Sequence, residues 1–260
     1  MKKTLHSIAR ISIAALLCGA CVGVSAAAPT SAERLTIKRQ FDLPPSAELN
    51  YAIRARQSGL SINGDAVVKW QTDGREFSVE AITRAMIFGK ILEAKSDGKI
   101  DDYGLAPAQF IDKRFHKNST TTTFNRDAGK GAGGTITFSQ SDASYPIKGG
   151  EQDRTSIVWQ LVAVARAAAK QFKPGSDWAF FVAGQRDAEP WSFKVINQEK
   201  ITTGMGEIDA VHVFRAPPPD DPGQRLDIWL APSLEWYPIR VRFTDPNNDF
   251  VDQTLDKIIK

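Results

Sequence analysis

Hydrophobic and polar residues alternate one by one along much of this chain, which is typical of β-strands with one buried face. Leu49, Tyr51, Ile53 and Ala55, for example, are each separated by a residue that can face water. The same pattern predicts further strands at 66–72, 76–82, 120–124, 135–139, 178–183, 191–198, 210–216, 224–230 and 237–244. Most of the chain is therefore predicted to be β-structure.

Turn residues separate these segments. Asn63-Gly64, Asp73-Gly74 and Asp97-Gly98 are dipeptides typical of tight hairpin turns, and 103–107 is predicted to be a loop. Many short strands joined by such turns, with no alternation of strands and helices, indicate an antiparallel meander. We predict a mainly β (α+β) fold, in which a curved antiparallel sheet forms a half-barrel or open barrel.

One long helical pattern interrupts the strands, at residues 153–172. Its apolar residues fill one broad arc at about 100° per residue, Asp153 is a plausible N-cap, and Pro174-Gly175 ends the pattern. An apolar stripe of this width has to be covered. We predict that this helix packs on the concave side of the sheet.

Arg154 breaks the amphipathic pattern, because it projects into the middle of the apolar arc. A first-turn residue can escape the packed face, or it can pair with an acid such as Glu151 or Asp153. The alternative is that Arg154 binds the acidic head group of a ligand at the mouth of a cavity. Both interpretations stay open at the level of the sequence.

Trp159 breaks the pattern in the opposite sense, because it falls on the polar side of the helix with Arg166 and Lys170. A tryptophan in this position packs under a loop or belongs to a binding surface. The second interpretation predicts a face that binds another protein.

Residues 1–28 have the features of an export signal. Lys2, Lys3 and Arg10 precede an apolar run that is too short for a good membrane anchor, and 25–28 is a run of small residues suited to cleavage. We predict a periplasmic protein with no transmembrane segment after cleavage. The alternative is a lipoprotein attached through Cys21, although Cys18 stands where the lipidation motif prefers an aliphatic residue.

The rest of the chain divides into a lead-in segment, 29–46, with an edge strand predicted at 35–41, and a single β-rich domain, 47–260. Removal of the signal takes three of the 33 basic residues and none of the 30 acidic ones, so the remaining net charge is about zero. A balanced chain gives no basis for nucleic-acid binding. Both cysteines leave with the signal, so no disulfide is expected.

The motifs of common enzymes are missing from the sequence. Beyond the signal the only histidines are His116 and His212, in no zinc-binding spacing. The segment 59–64 lacks the second glycine of a nucleophile elbow. We therefore predict a non-enzymatic protein with no cofactor and no metal, and a hydrolase is the least favoured alternative.

Four short motifs occur in an order and spacing that resemble one bacterial family. They are 104–107 (GLAP), 149–156 (GGEQDRTS), 227–232 (DIWLAP) and 237–242 (YPIRVR). Over about 47–260 the chain resembles the uncharacterised family called domain of unknown function 3108. That resemblance implies a distant similarity in fold to the Lol lipoprotein carriers, in which helices close a curved sheet around a hydrophobic cavity.

The implied activity is binding of a lipid or another acyl chain between the sheet and the helix. The candidate ligand-binding residues are Arg154 for a head group and, for the apolar wall, Leu161, Val164, Ala168, Trp70, Trp229 and Phe243. Ordinary core packing is the alternative role for each wall residue.

A second hypothesis assigns the protein to another class. An envelope interaction or assembly factor would bind a partner protein through a sheet edge, or through the face formed by Trp159, Arg166 and Lys170.

Overall fold

The computed structural model describes residues 36–126, 133–217 and 223–260. The described residues form fifteen β-strands, one α-helix and one 3-10 turn at Pro232–Leu234. The predicted signal 1–28 and its Cys21 lie outside the described residues.

The strands are numbered in chain order. They are β1 (Ala47–Gln57), β2 (Leu60–Thr72), β3 (Glu76–Ala85), β4 (Gly89–Asp101), β5 (Gly104–Arg114), β6 (Thr120–Asn125), β7 (Thr135–Phe138), β8 (Ser141–Pro146), β9 (Gln152–Asp153), β10 (Asp177–Ala183), β11 (Ala188–Thr203), β12 (Gly206–Arg215), β13 (Arg225–Leu230), β14 (Pro238–Thr244) and β15 (Phe250–Ile259). The helix α1 covers Ser156–Ala167 and lies between β9 and β10.

All the strands belong to one sheet, in the order β8-β7-β6-β5-β4-β3-β2-β1-β15-β14-β13-β12-β11-β10-β9. Two antiparallel meanders, β1 to β8 and β10 to β15, are joined by the pairing of β1 with β15. The short strand β9 adds to the far edge in parallel with β10. The predicted mainly β fold with an antiparallel meander is confirmed.

Chain connectivity forces this sheet to curve. Strands β8 and β9 lie at opposite edges, which in a flat sheet of fifteen strands would be roughly 67 Å apart. Residues 147–151, which connect them, reach at most about 20 Å. The two edges must therefore approach each other, although no strand ladder joins them among the described residues, and the sheet stays open.

Side-chain contacts join the two edge regions. Thr122 of β6 donates its hydroxyl hydrogen bond to the carbonyl oxygen of Gly184, 2.7 Å away, just after β10. Phe124 and Ile136 from one meander pack with Ala183 and Ala188 from the other in a small apolar cluster. The curvature is thus fixed by packing as well as by chain length.

Two predicted hairpin turns are wrong. Gly64 lies inside β2 and Gly98 inside β4, whereas the predicted turn at Asp73-Gly74 is confirmed. A Cβ atom on Gly64 would lie 2.0 Å from the carbonyl oxygen of Arg84 on β3, and one on Gly98 would lie 2.2 Å from that of Ala106. Glycine is used at both positions because a neighbouring strand approaches closely.

The ends of the predicted elements also differ in places. Residues 36–46 contain no strand, so the described part of the predicted edge strand 35–41 is wrong. The predicted loop 103–107 is mostly the start of β5, at Gly104. Strand β15 was not predicted, because a bulge in its pairing with β1 between Asn50 and Tyr51 breaks the alternation.

Helix α1 is shorter than predicted and is buried on every side. It begins at Ser156 and ends at Ala167, and its buried residues are Ser156, Ile157, Trp159, Gln160, Leu161, Val162, Ala163, Val164 and Ala165. These positions cover the full circumference of a helix, which marks a helix enclosed by protein rather than one lying on a surface.

Trp159 is the clearest departure from the predicted amphipathic pattern. It is only 2% exposed and stacks on Trp70 of β2, with ring centroids 4.7 Å apart and planes 9° apart. Tyr237 meets its edge at a centroid distance of 6.1 Å. Trp159 therefore belongs to the core, and the interpretation that it forms a free binding surface is wrong.

The segment 36–46 packs against the helix and the sheet. The N–H of Asp42 donates to the carbonyl oxygen of Ala163 (2.9 Å). The carbonyl oxygens of Pro44 and Pro45 accept hydrogen bonds from Trp70 Nε1 (2.9 Å) and the Tyr237 hydroxyl (2.7 Å). The lead-in thus holds the two aromatic residues that contact Trp159.

Within the described ranges, no helix has the length and apolar character needed to cross a membrane.

We expect Trp159→Ala to destabilise the protein by about 3–5 kcal/mol, because it removes a large buried ring and leaves a cavity against Trp70. Trp159→Phe keeps an aromatic contact and should cost less than half as much. Urea unfolding followed by circular dichroism measures both, with the exposed Lys170→Ala as a control. Equal stability of Trp159→Ala and the wild type would contradict the stacked core.

Candidate ligand site around the helix

The helix contributes to two apolar clusters. Trp159 belongs to the larger one, which is built mainly from β1, β2, β3 and the C-terminal strands. Ile157, Leu161, Val162 and Val164 belong to the second, which is built from β10 to β14. The helix is therefore packed between side chains of both meanders, where the sequence predicts an apolar ligand.

Two of the predicted helix wall residues are completely covered. Leu161 and Val164 are both 0% exposed and pack against residues such as Ile228 and Leu230 of β13. Ala168 follows the last helical residue and is half-buried. In the described structure these side chains contact the protein's own core.

The predicted wall residues on the strands do not all share one face. Trp70 is 0% exposed in the larger cluster, and Phe243 is partly buried against the helix-side cluster. Trp229 belongs to the same cluster as Trp70, but it alternates with Ile228 and so lies on the opposite face of β13 from that residue. There it stacks on His212 at a centroid distance of 4.5 Å and donates from Nε1 to Glu199 (2.7 Å).

Arg154 lies outside the apolar interior. It precedes the helix, is exposed, and its guanidinium carbon lies 6.0 Å from the ring centroid of Trp191. Glu151, one of its predicted partners, pairs instead with Arg126 at 3.8 Å between Nη1 and Oε2. The structure does not bring Arg154 together with the predicted wall residues, because the helix starts two residues later than Arg154.

Neither of two surface hollows in the described part of the chain is lined by a helix residue. One, of about 260 Å³, lies over β11 and β12 beside Glu199. The other, of about 180 Å³, lies between the ends of β4 and β5. Neither hollow is the space that the sequence predicts for a ligand beside the helix.

Asp153 fixes the start of the helix. Its Oδ1 accepts hydrogen bonds from the N–H groups of Thr155 and Ser156, both 2.8 Å away, and its Oδ2 lies 2.5 Å from the hydroxyl oxygen of Ser96 on β4. Asp153 therefore provides the predicted capping interaction, although it lies in β9 and Thr155 occupies the N-cap position. Complete burial raises the pKa of this carboxyl to about 6, against the lowering effect of these hydrogen bonds.

Gln160 forms a second polar contact between helix and sheet. Its Oε1 accepts a hydrogen bond from the N–H of Leu105 (2.8 Å), and its Nε2 donates to the carbonyl oxygen of Tyr103 (2.8 Å). Gly104, between them, has a φ of +103°, and a Cβ there would lie 2.4 Å from Gln160 Oε1. Only glycine fits this close approach.

Arg166 forms a third polar contact, near the end of the helix. Its Nη2 lies 3.1 Å from Oδ2 of Asp42 in the lead-in, and its Nη1 pairs with the Glu235 carboxylate after the 3-10 turn. The hydrogen bond from Arg166 lowers the pKa of Glu235. Since Arg166 is engaged and Trp159 is buried, the protein-binding face predicted at Trp159, Arg166 and Lys170 is not formed.

The described residues contain no group of three or more histidine, cysteine or acidic residues placed to hold a metal ion. His212 lies between Asp227 (Nε2 to Oδ1, 2.8 Å) and Glu199 (Nδ1 to Oε1, 3.5 Å), and its ring stacks on that of Trp229.

The sequence did not predict the polar contacts that Gln160, Ser96 and Asp42 make between the helix region and the rest of the protein. Gln160 is buried at 2% exposure in an apolar helix. The position of Gln160 beside the apolar arc would have identified it as a contact residue only if its partners near the start of β5 had been known. Ser96 and Asp153 are 57 residues apart in the chain, and Leu105 and Gln160 are 55 apart. Asp42, which pairs with Arg166, lies in the lead-in.

The comparisons with known proteins support a fold but name no activity. A family model described as "Protein of unknown function (DUF3108)" matches residues 48–256. No functionally curated protein matches the chain.

Two solved structures match most of the chain. A β-barrel-like protein of domain of unknown function DUF1849 from Brucella abortus is 13% identical, with a TM-score of 0.54, over 84% of this chain and 98% of that one. A putative exported protein with a YmcC-like fold from Bacteroides fragilis is 10% identical, with a TM-score of 0.40, over 86% of this chain and 100% of that one. The first similarity shows a β-barrel-like fold and nothing about activity.

Asp153 should make the free energy of unfolding decrease as the pH rises, which is unusual for a carboxyl group. Its folded pKa of about 6 lies above the ordinary value of 3.8, so the folded state holds a proton that the unfolded state has lost between these values. Its contribution is complete below about pH 4 and is lost as the pH rises through 6, by about 3 kcal/mol.

Asp153→Asn should abolish this component, because an amide can accept from Thr155 and Ser156 and donate to Ser96 without ionising. The measurement is the difference in unfolding free energy between variant and wild type at several pH values. The variant should become more stable relative to the wild type as the pH rises from 4 to 7. A difference that stays constant with pH would contradict the raised pKa.

Proposed function

Because the chain belongs to the DUF3108 family of proteins of unknown function, over residues 48–256, we propose its function from its geometry. It is an exported, periplasmic, non-enzymatic protein that binds a lipid or lipoprotein acyl chain on the concave side of its sheet. We infer that α1 lies on the same concave side. The resemblance in fold to the Lol carriers, stated from the sequence, is consistent with this proposal.

The observation that carries the proposal is the burial of α1 on all sides. The helix contacts both meanders of a sheet whose edges approach each other, and this supports a position within the curve of that sheet. Its apolar side chains fill a volume that would otherwise be an open apolar groove. The helix thus acts as an internal substitute for a ligand.

Polar contacts hold the helix in this position. Asp153, Gln160 and Arg166 bind the helix at its start, middle and end. Such contacts define one docked position, yet each is worth only a few kcal/mol or less because water competes for the same groups. Displacement of the helix would expose Trp70 and the helix-facing residues of β13 to an acyl chain.

A ligand that competes with the helix binds more tightly when helix docking is weakened, because the apparent affinity scales with the fraction of open protein. We expect Arg166→Ala to raise the affinity for a fluorescent fatty acid roughly fivefold, since a partly exposed ion pair is worth about 1 kcal/mol. Fluorescence titration of the chain without residues 1–28 measures this affinity.

Lys170→Ala is the matched control, because it removes a basic residue from the same end of the helix where the side chain is exposed. It should leave the affinity unchanged. Mass spectrometry of lipids extracted from the purified wild type should in addition identify a bound acyl chain. The proposal is overturned if no lipid co-purifies and neither the wild type nor Arg166→Ala binds the fatty acid.

A further inference from the structure

Large apolar side chains are exposed together at one end of the sheet. The antiparallel registers place the β1–β2, β3–β4 and β5–β6 turns at this end. Met86 and Ile87 in the β3–β4 turn are 81% and 84% exposed, and Phe88 is 54% exposed. Phe115 in the β5–β6 turn is 45% exposed. Apolar residues grouped in this way mark an interaction site.

Backbone hydrogen bonds hold these turns against their neighbours. The N–H of Met86 donates to the carbonyl oxygen of Asn63 (3.0 Å), and that of Phe115 donates to Ile91 (2.9 Å). The rings of Phe88 and Phe115 are 6.2 Å apart, so the two turns form one surface. We call Met86, Ile87, Phe88 and Phe115 the apolar tip.

Basic residues surround the apolar tip. Exposed basic side chains in the strand ends and turns next to it are Arg84, Lys90, Lys113, Arg114 and Lys117. Three of them pair with acids, in the pairs Arg84–Asp65, Lys90–Glu93 and Arg114–Asp112. Lys113 and Lys117 make no salt bridge within the described ranges, so positive charge is in excess here. Both line the hollow of about 180 Å³ beside Phe115.

We propose that the apolar tip docks on an anionic lipid bilayer. Apolar side chains at the head of a turn can enter the acyl boundary of a membrane, while the surrounding lysines meet the lipid phosphates. A bilayer covers projecting side chains without needing a complementary shape. The excess of positive charge also selects an anionic surface over an apolar protein patch. This inference does not depend on binding of an acyl chain by the interior.

Vesicle flotation with the chain lacking residues 1–28 tests the proposal. The wild type should float with phosphatidylglycerol–phosphatidylcholine vesicles, and less with phosphatidylcholine alone. The double change Ile87→Asp and Phe88→Asp should lower the partition coefficient by at least about tenfold, because it places charge where apolar contact is required. Met205→Asp is the matched control, since Met205 is 47% exposed in a turn at the opposite end of the sheet, and it should float like the wild type.

The charged ring is tested separately. Lys113→Glu with Lys117→Glu should weaken binding to the anionic vesicles about tenfold and reduce its dependence on salt. The exposed Lys257→Glu, at the other end of β15, should have little effect. Circular dichroism confirms that every variant is folded.

Three results would overturn the proposal. One is a folded wild type that does not float with anionic vesicles. Another is flotation of Ile87→Asp/Phe88→Asp equal to that of the wild type. The third is a wild-type dimer, detected by light scattering, that this double variant converts to monomer, because the tip would then bind a second copy of the chain. None of these outcomes bears on fatty-acid binding by the interior, so the two proposals fail independently.

Discussion

Residues 147–151 impose the constraint on which this fold depends. They join strands at opposite edges of a fifteen-stranded sheet, and so few residues cannot span that sheet if it is flat. The sheet has to curve until its edge regions meet, as they do where the Thr122 hydroxyl donates a hydrogen bond to the carbonyl oxygen of Gly184. A helix that follows immediately after β9 is then covered on all sides, which is why its sequence is apolar beyond a single stripe.

An enclosed apolar helix needs something to fix its position, because apolar contacts alone are tolerant of sliding. Asp153 and Gln160 provide this by binding backbone groups of specific residues. Burial of polar groups around the helix has a cost. It is visible in the raised pKa of Asp153 and in two buried atoms that lack a hydrogen bond in the described structure, Gln152 Oε1 and Arg166 Nε. Buried polar contacts of this kind define a position more than they add stability. A helix that is precisely placed but not maximally stabilised is suited to being displaced.

The sequence pattern predicted most strands and the mainly β class because alternation depends only on neighbouring residues. It failed where long-range geometry decides. Gly64 and Gly98 resemble turn residues locally, but they serve the close approach of adjacent strands. Trp159 lies on the polar side of a helical projection, and no projection can show that a second apolar surface, centred on Trp70, covers that side. The polar contacts of the helix join residues far apart in the chain, so they could not be inferred without the fold.

The two ends of the sheet differ in how far other parts of the chain cover them. This difference connects the interior with the apolar tip. At the end that carries the β2–β3 and β4–β5 turns, the lead-in covers Trp70 and Tyr237 with its carbonyl groups, and Lys38 pairs with Asp102 at 2.7 Å. At the other end, Ile87 and Phe88 stay exposed. Exposed apolar surface opposes solubility, so its concentration at one end indicates a molecule with a defined direction. For a protein that receives an acyl chain from a bilayer, the end that meets the lipid has to be the one that is left uncovered.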